Sequence, residues 1–176
     1  MLKNNLKKTV AILMLIPIML TSFACGNNDA ASNDTDSSAD TAQIIEGDLQ
    51  DIMADIYSGL EGLDAETKEA IEGYMCDALT EENEQAMLGT ADIEYIEGVF
   101  SVPMMSSIAY QCVLLRVNSD DIETVKQQLK DNADLNKWVC VSAETMLVEN
   151  VGDLVLFIMS SKDVAYAVST SFQSLQ

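Results

Sequence analysis

The chain has 176 residues, no histidine, 29 acidic side chains against 9 basic ones, and a net charge of −20. Without histidine, the usual general base and a common zinc ligand are both missing, and so acidic a surface repels nucleic acid and anionic headgroups. Once a leader is set aside, about 130 residues remain for one domain, enough to bury roughly two thirds of its unfolded surface without disulfides or metals.

The leader comes first along the chain. Met1 to Lys8 carry Lys3, Lys7 and Lys8 and no acid, and Val10 to Leu20 are apolar throughout. That apolar run is shorter than the ~20 residues a spanning helix needs, and Pro17 weakens it further, so residues 1–24 read as a cleavable signal peptide. Ser22-Phe23-Ala24-Cys25-Gly26 resembles a bacterial lipobox in Ala24 and Cys25. It departs from that pattern at Ser22, where leucine is usual, and at Phe23, where a small residue is usual. The resemblance implies a lipoprotein with a palmitate-type diacylglyceryl group on Cys25, held on the extracytoplasmic face of the cell membrane. Ser22 and Ala24 also satisfy the small-x-small rule of ordinary cleavage, which would release a secreted protein, and a retained signal anchor is the third alternative. Residues 25–43 lack large apolar side chains, cannot offset the entropy of ordering, and read as a polar, acidic, disordered tether. Loss of the three leader lysines leaves 29 acids against six bases, a net charge of −23.

A single domain is expected over 44–176. Ile44 to Leu60 repeats apolar residues with the 3.6-residue period of an amphipathic helix, and Gly59 and Gly62 end it. Glu66 to Asp77 is a second helix candidate, and Thr80 to Gly89 is a polar connection. From Ile93 the period changes: Ile93–Val102 and Ile108–Val117 are rich in β-branched and aromatic residues, with Pro103–Ser107 between them. Asp120 with Glu123 suggests a capping box opening a helix that runs to about Asn132. Trp138–Leu147 and Leu154–Met159 form a second strand pair around a turn at Glu149, Asn150, Gly152 and Asp153. Ser160 or Ser161 caps a last helix bearing Val164, Ala165, Val168 and Phe172.

The order strand–strand–helix thus occurs twice. At an offset of 42 residues, Val113-Leu114-Leu115 lies over Val155-Leu156-Phe157, and Ser119, Asp121 and Ile122 match Ser161, Asp163 and Val164. Shared strand-to-helix chemistry explains this more simply than duplication. The expected fold class is α+β: a four-stranded antiparallel sheet with helices on one face, preceded by the N-terminal amphipathic helix.

Four stretches carry a family resemblance. They are Asp48-Leu49 with Ile52 and Ile56, Leu88-Gly89-Thr90-Ala91-Asp92-Ile93, Pro103-Met104-Met105-Ser106-Ser107, and the passage Val113 to Leu129. Over roughly residues 46–160 the chain resembles the domain-of-unknown-function family numbered 4358, uncharacterised lipoproteins of Gram-positive anaerobes (Firmicutes). The resemblance implies export and anchoring and brings no activity and no site residues. Cys76 and the abundance of methionine are not features of that family.

Catalytic chemistry finds no motif: the chain has no GxSxG, SxxK, P-loop or GxGxxG, and Glu94 and Glu97 are isolated acids in an acidic protein. Asp34, Asp36 and Asp40 open like a calcium loop, but Ala39 stands where the loop needs glycine and Ile45 where it needs glutamate. Glu81, Glu82 and Glu84 read as a solvated face. Cys76, Cys112 and Cys140 read as buried free thiols, with a Cys112–Cys140 disulfide as the alternative if their strands are neighbours. Met104 and Met105 are expected to fold inward; if exposed, they would join Phe100 and Tyr110 in a partner-binding patch. The reading is a non-catalytic interaction module at the cell envelope, with no cofactor or metal, tied to the membrane through Cys25 and contacting an envelope protein. Its alternative is a cation-dependent ligand-binding module or enzyme using the acidic surface.

Overall fold

Two runs, 111–116 and 154–160, place apolar side chains on both faces of any strand they form, so a sheet containing them must be covered twice. The computed structural model, which describes residues 43–105 and 107–175, meets that demand with an α+β fold built on one antiparallel sheet. The leader, Cys25 and nearly all of the expected tether lie outside the described residues. The elements are α1 (Leu49–Ser58), α2 (Ala65–Glu72), β1 (Met75–Ala78), α3 (Glu84–Leu88), β2 (Glu97–Val102), β3 (Gln111–Arg116), α4 (Ile122–Asn132), β4 (Thr145–Val151), β5 (Leu154–Ser160) and α5 (Lys162–Gln173). The strand order is β1-β2-β3-β5-β4.

The sheet has five strands where the sequence suggested four. The extra one, β1, falls inside the helix expected over Glu66–Asp77. α2 closes at Gly73, whose N–H donates to Glu69 O while Tyr74 N donates to Ile71 O, and the next residues pair with β2, Cys76 opposite Ser101. A four-residue, mostly exposed edge strand has no periodicity to read; pairing creates it. The last pair is also shifted. Trp138–Glu144 is not strand, and β4 runs instead through Glu149 and Asn150 to Val151, because a two-residue turn at Gly152 and Asp153 suffices. Gly152 holds φ +55° there. The capping box of Asp120 with Glu123 does not form: the N-cap of α4 is Asp121, which makes no side-chain cap, and Glu123 pairs with Lys126 at 2.7 Å instead. The first helix is shorter than its apolar stripe, starting where Asp48 Oδ1 accepts from Gln50 N at 2.8 Å.

The helices cover both faces, not one. On one face α1, α2 and α5 bring Met53, Ile56, Ile71, Val168 and Phe172 onto Leu114, Leu156 and Ile158. On the other, α3 and α4 bring Leu88, Val125 and Leu129 onto Val113, Val155 and Phe157. Each fully buried side chain of this size stabilises by about 1.5–3 kcal/mol relative to exposure. Strands β3 and β4 run parallel with β5 between them, so α4 is the crossover of a split β-α-β unit.

The 42-residue offset has a geometric meaning. In the register of β3 with β5, Val113 faces Phe157, Leu114 faces Leu156 and Leu115 faces Val155. A local two-fold through the Leu114–Leu156 pair therefore exchanges the two hairpins. Such an axis would put both following helices on one face; α4 and α5 lie on opposite faces, so the symmetry stops at the strands.

At the β4–β5 turn the chain is stapled to its own beginning. Arg116 Nη1 donates to Asp153 Oδ2 (2.8 Å) and Ile45 O (2.6 Å), Nη2 to Gly47 O (3.0 Å), and Nε to Glu97 Oε1 (2.7 Å). Asp153 accepts from Ile45 N at 2.8 Å and donates its backbone N–H to Gln43 O at 3.0 Å. The Arg116 and Asp153 side chains are only 12% and 11% exposed, so deleting one strands the other. Arg116→Ala is expected to cost about 2–3 kcal/mol, read as a lower urea midpoint with unchanged slope; Arg116→Lys recovers only part. Gly152→Ala should also destabilise, because its Cβ would stand 2.0 Å from Gln43 O.

Candidate functional site

At the far end of the sheet from that staple, the strand ends leave a groove of about 780 Å³. Its floor comes from Ile71 at the end of α2, Ala109 and Tyr110 ahead of β3, and Val164 in the first turn of α5. One wall is the start of α2, another the irregular 141–144 segment, and Ile108 stands at the side, 48% exposed. Tyr110 is fixed: its hydroxyl donates to the Tyr57 hydroxyl at 2.8 Å, and its ring meets Tyr74 edge-on at 4.8 Å between centroids. The floor is therefore preformed.

The charged groups of the lining are all acids, Asp64, Glu66 and Glu144, with no lysine or arginine among them. Asp64 caps α2, accepting from Thr67 N at 2.9 Å and Thr67 Oγ1 at 2.7 Å. These donors, the backbone N–H first, hold its carboxyl below the usual carboxylate range. Glu144 accepts from Lys162 N at 3.2 Å, and so already occupies the positive end of α5.

The residues singled out from the sequence are only partly brought together. Met104 and Met105, expected inside, are 89% and 74% exposed in the β2–β3 turn. Phe100 and Tyr110, expected beside them, are 5% and 2% exposed and belong to the cores of opposite faces. The patch of four therefore does not form. Phe100 is paired within β2 and Tyr110 is drawn down by its hydroxyl bond, whereas the turn that carries the methionines has no layer above it. Met75, opposite Val102 at the start of β1, is also exposed at this end of the sheet, on the face covered by α3 and α4. Sequence reasoning missed Ile71, Tyr74, Ile108 and Glu144. The groove joins four segments distant in sequence, and no local pattern announces it.

The three described cysteines are free. Cys112 is buried, with its Sγ 3.8 Å from Met53 Sδ. Cys140 is exposed in a bend rather than buried in a strand, so the Cys112–Cys140 disulfide does not form. Cys76 and Cys112 both pair with Ser101, on either side of it; two strand spacings put them about 9–10 Å apart, beyond disulfide reach. Burial pushes the Cys112 thiol up to about 12 and raises the Tyr57 and Tyr110 phenols well above their ordinary range. A nucleophilic role for Cys112 is opposed by that shift. The Ser101 hydroxyl, beside this cluster, is buried without a well-formed hydrogen bond.

Among the described residues, no group of three or more Cys, Asp or Glu could hold a metal ion. Glu81 and Glu82 are exposed, and Glu84 accepts from the Tyr95 hydroxyl at 3.1 Å. Glu97 serves the Arg116 staple, and Asp34, Asp36 and Asp40 lie outside the described residues. No protein family, curated protein or solved structure matches the chain.

In the native protein an alkylating reagent should modify Cys140 first, Cys76 more slowly, and Cys112 only on unfolding, as peptide mapping would show. Because folding raises the Cys112 pKa, that thiol favours the fold at all pH values below its unfolded pKa near 9. The contribution is lost as pH rises from there through about 12. Urea midpoints should accordingly fall across that alkaline window, and less steeply in Cys112→Ala.

Proposed function

We propose that the protein is a non-catalytic binding module, lipid-anchored through Cys25 on the extracytoplasmic face of the cell membrane, that engages its partner with the groove end of the sheet. The observation that carries this reading is the polarity of the domain. Gln43, where the described chain begins, is bonded to the β4–β5 turn, while the groove lies at the other end of β5, beside Ser160 and Ser161. Seven residues of strand separate the two ends, roughly 20 Å. A chain tethered from the Gln43 end would present the groove and the Met104–Met105 turn away from the bilayer.

The groove also suits binding better than turnover. Its floor is apolar and rigid, and no lysine, histidine or cysteine lines it beside its hydroxyls (Thr67, Ser142, Ser160 and Ser161 among them) to activate one as a nucleophile. A volume of about 780 Å³ falls within the range of ligand-binding clefts. The tether expected over 25–43 would hold the domain clear of the headgroups, with a span of about 20–25 Å.

Two measurements test the reading. In a bacterial host expressing the full chain, an alkyne fatty acid should label the protein, and Cys25→Ser should abolish both label and membrane retention; retention without label would sink the anchor. Met104→Ser with Met105→Ser should leave the unfolding midpoint within about 0.5 kcal/mol of the parent, since both side chains are exposed. Cross-linking of the protein to its envelope partner on intact cells should drop in the same double variant, and unchanged cross-linking would remove the turn from the interface.

A further inference from the structure

Two features of the groove end constrain what it can hold. The first is its shape. The cleft is lined by Ile108, 48% exposed, which follows the turn that exposes Met104 and Met105. Three exposed large apolar side chains, Met104, Met105 and Ile108, therefore lie at this end of the sheet, and Ile108 leads into the groove. A small molecule held in the cleft would leave them uncovered, whereas an elongated ligand would cover cleft and turn together. Methionine is unbranched and polarizable, which suits it to the varied side chains of a helical ligand.

The second feature is charge. Asp64, Glu66 and Glu144 rim the cleft with no base among the lining residues, in a chain with 29 acids and 9 bases. Apolar surface inside an anionic rim is the complement of an apolar stripe flanked by cations.

We infer that the groove and the adjoining methionine turn form a docking surface for a cationic amphipathic helix, a peptide or protein segment whose apolar stripe lies on Tyr74, Ile108, Ala109, Val164 and the methionines. Its lysines or arginines meet Asp64, Glu66 and Glu144. This rests on the binding-module reading and gives it a ligand chemistry. The anionic rim also disfavours acidic peptides and phosphorylated ligands, which the whole surface repels.

The test uses the full chain. The main probe is a fluorescent peptide of about 18 residues, leucine at i, i+3, i+4 and i+7 and lysine elsewhere. Two controls accompany it: a leucine–glutamate version, and a lysine–serine peptide of equal charge without an apolar stripe. At about 150 mM salt, where diffuse attraction is screened, the leucine–lysine peptide should bind and the leucine–glutamate peptide should not. The lysine–serine peptide should bind at least about tenfold more weakly. Ile108→Asp and Glu66→Lys should each weaken the main probe by about tenfold or more, while Glu94→Lys, an equal charge change outside the groove, should leave it unchanged.

Equal binding of the lysine–serine peptide, or equal loss in Glu94→Lys, would mean diffuse charge attraction and overturn the inference. If no peptide binds but the neutral dye Nile red does, in a manner lost in Ile108→Asp, the groove is a binding site for other chemistry: the inference falls and the binding-module reading stands. Failure of peptides and dye alike would count against both.

Discussion

The architecture follows from the fact that β3 and β5, side by side at the centre of the sheet, are buried on both faces. Leu114, Leu154, Leu156 and Ile158 point to one side and Val113, Leu115, Val155 and Phe157 to the other, and all eight are buried. Neither face can be left to water, so the chain must supply two apolar layers, and it does so with α1, α2 and α5 on one side and α3 and α4 on the other. The crossing of α4 to the second face forces β4 to the far edge, and that placement makes the β4–β5 turn a corner of the molecule. The groove arises from the same constraint. The helical layer of the first face does not reach over the β2–β3 turn, and Met104, Met105 and Ile108 remain uncovered there.

Much of the molecule was readable because hydrophobic period and burial agree. The apolar runs that became β2, β3 and β5, and the stripes of α1, α4 and α5, identified themselves. The 42-residue offset also proved informative, since it marks the local two-fold through Leu114 and Leu156. What could not be read depended on partners. β1 is strand only because β2 lies beside it, and Glu149 and Asn150 look like turn residues but are held in β4. There Glu149 accepts from Ser169 Oγ on α5 and Asn150 from Lys126 on α4. The one-face expectation failed because unbroken apolar runs were counted as strands without asking how many faces they would bury.

The functional surface was the least legible part. The absence of histidine and the net charge of −20, which argues against a nucleic-acid partner, are statements about the whole chain. The groove is a relation among Ile71, Tyr110, Glu144 and Val164, whose proximity is set by the sheet and not by spacing in sequence. Of the four patch residues suggested by the sequence, Tyr110 contributes a floor and Met104 and Met105 an edge; Phe100 contributes to the core alone. Exposure could not be foreseen from residue type, because a methionine fills a core as readily as it caps a turn.

The staple at Arg116 has a mechanical consequence. If the chain is held at Cys25, any drag on the groove end becomes tension in the backbone arriving at Gln43. That tension reaches the bonds from Asp153 to Gln43 and Ile45, and from Arg116 to Ile45 and Gly47, before it reaches α1. These contacts seat on the turn between two fully paired strands, so the load passes into the most deeply buried part of the sheet. The helix over the first core, and the tyrosine pair that fixes the groove floor beneath it, are thereby shielded from the pull.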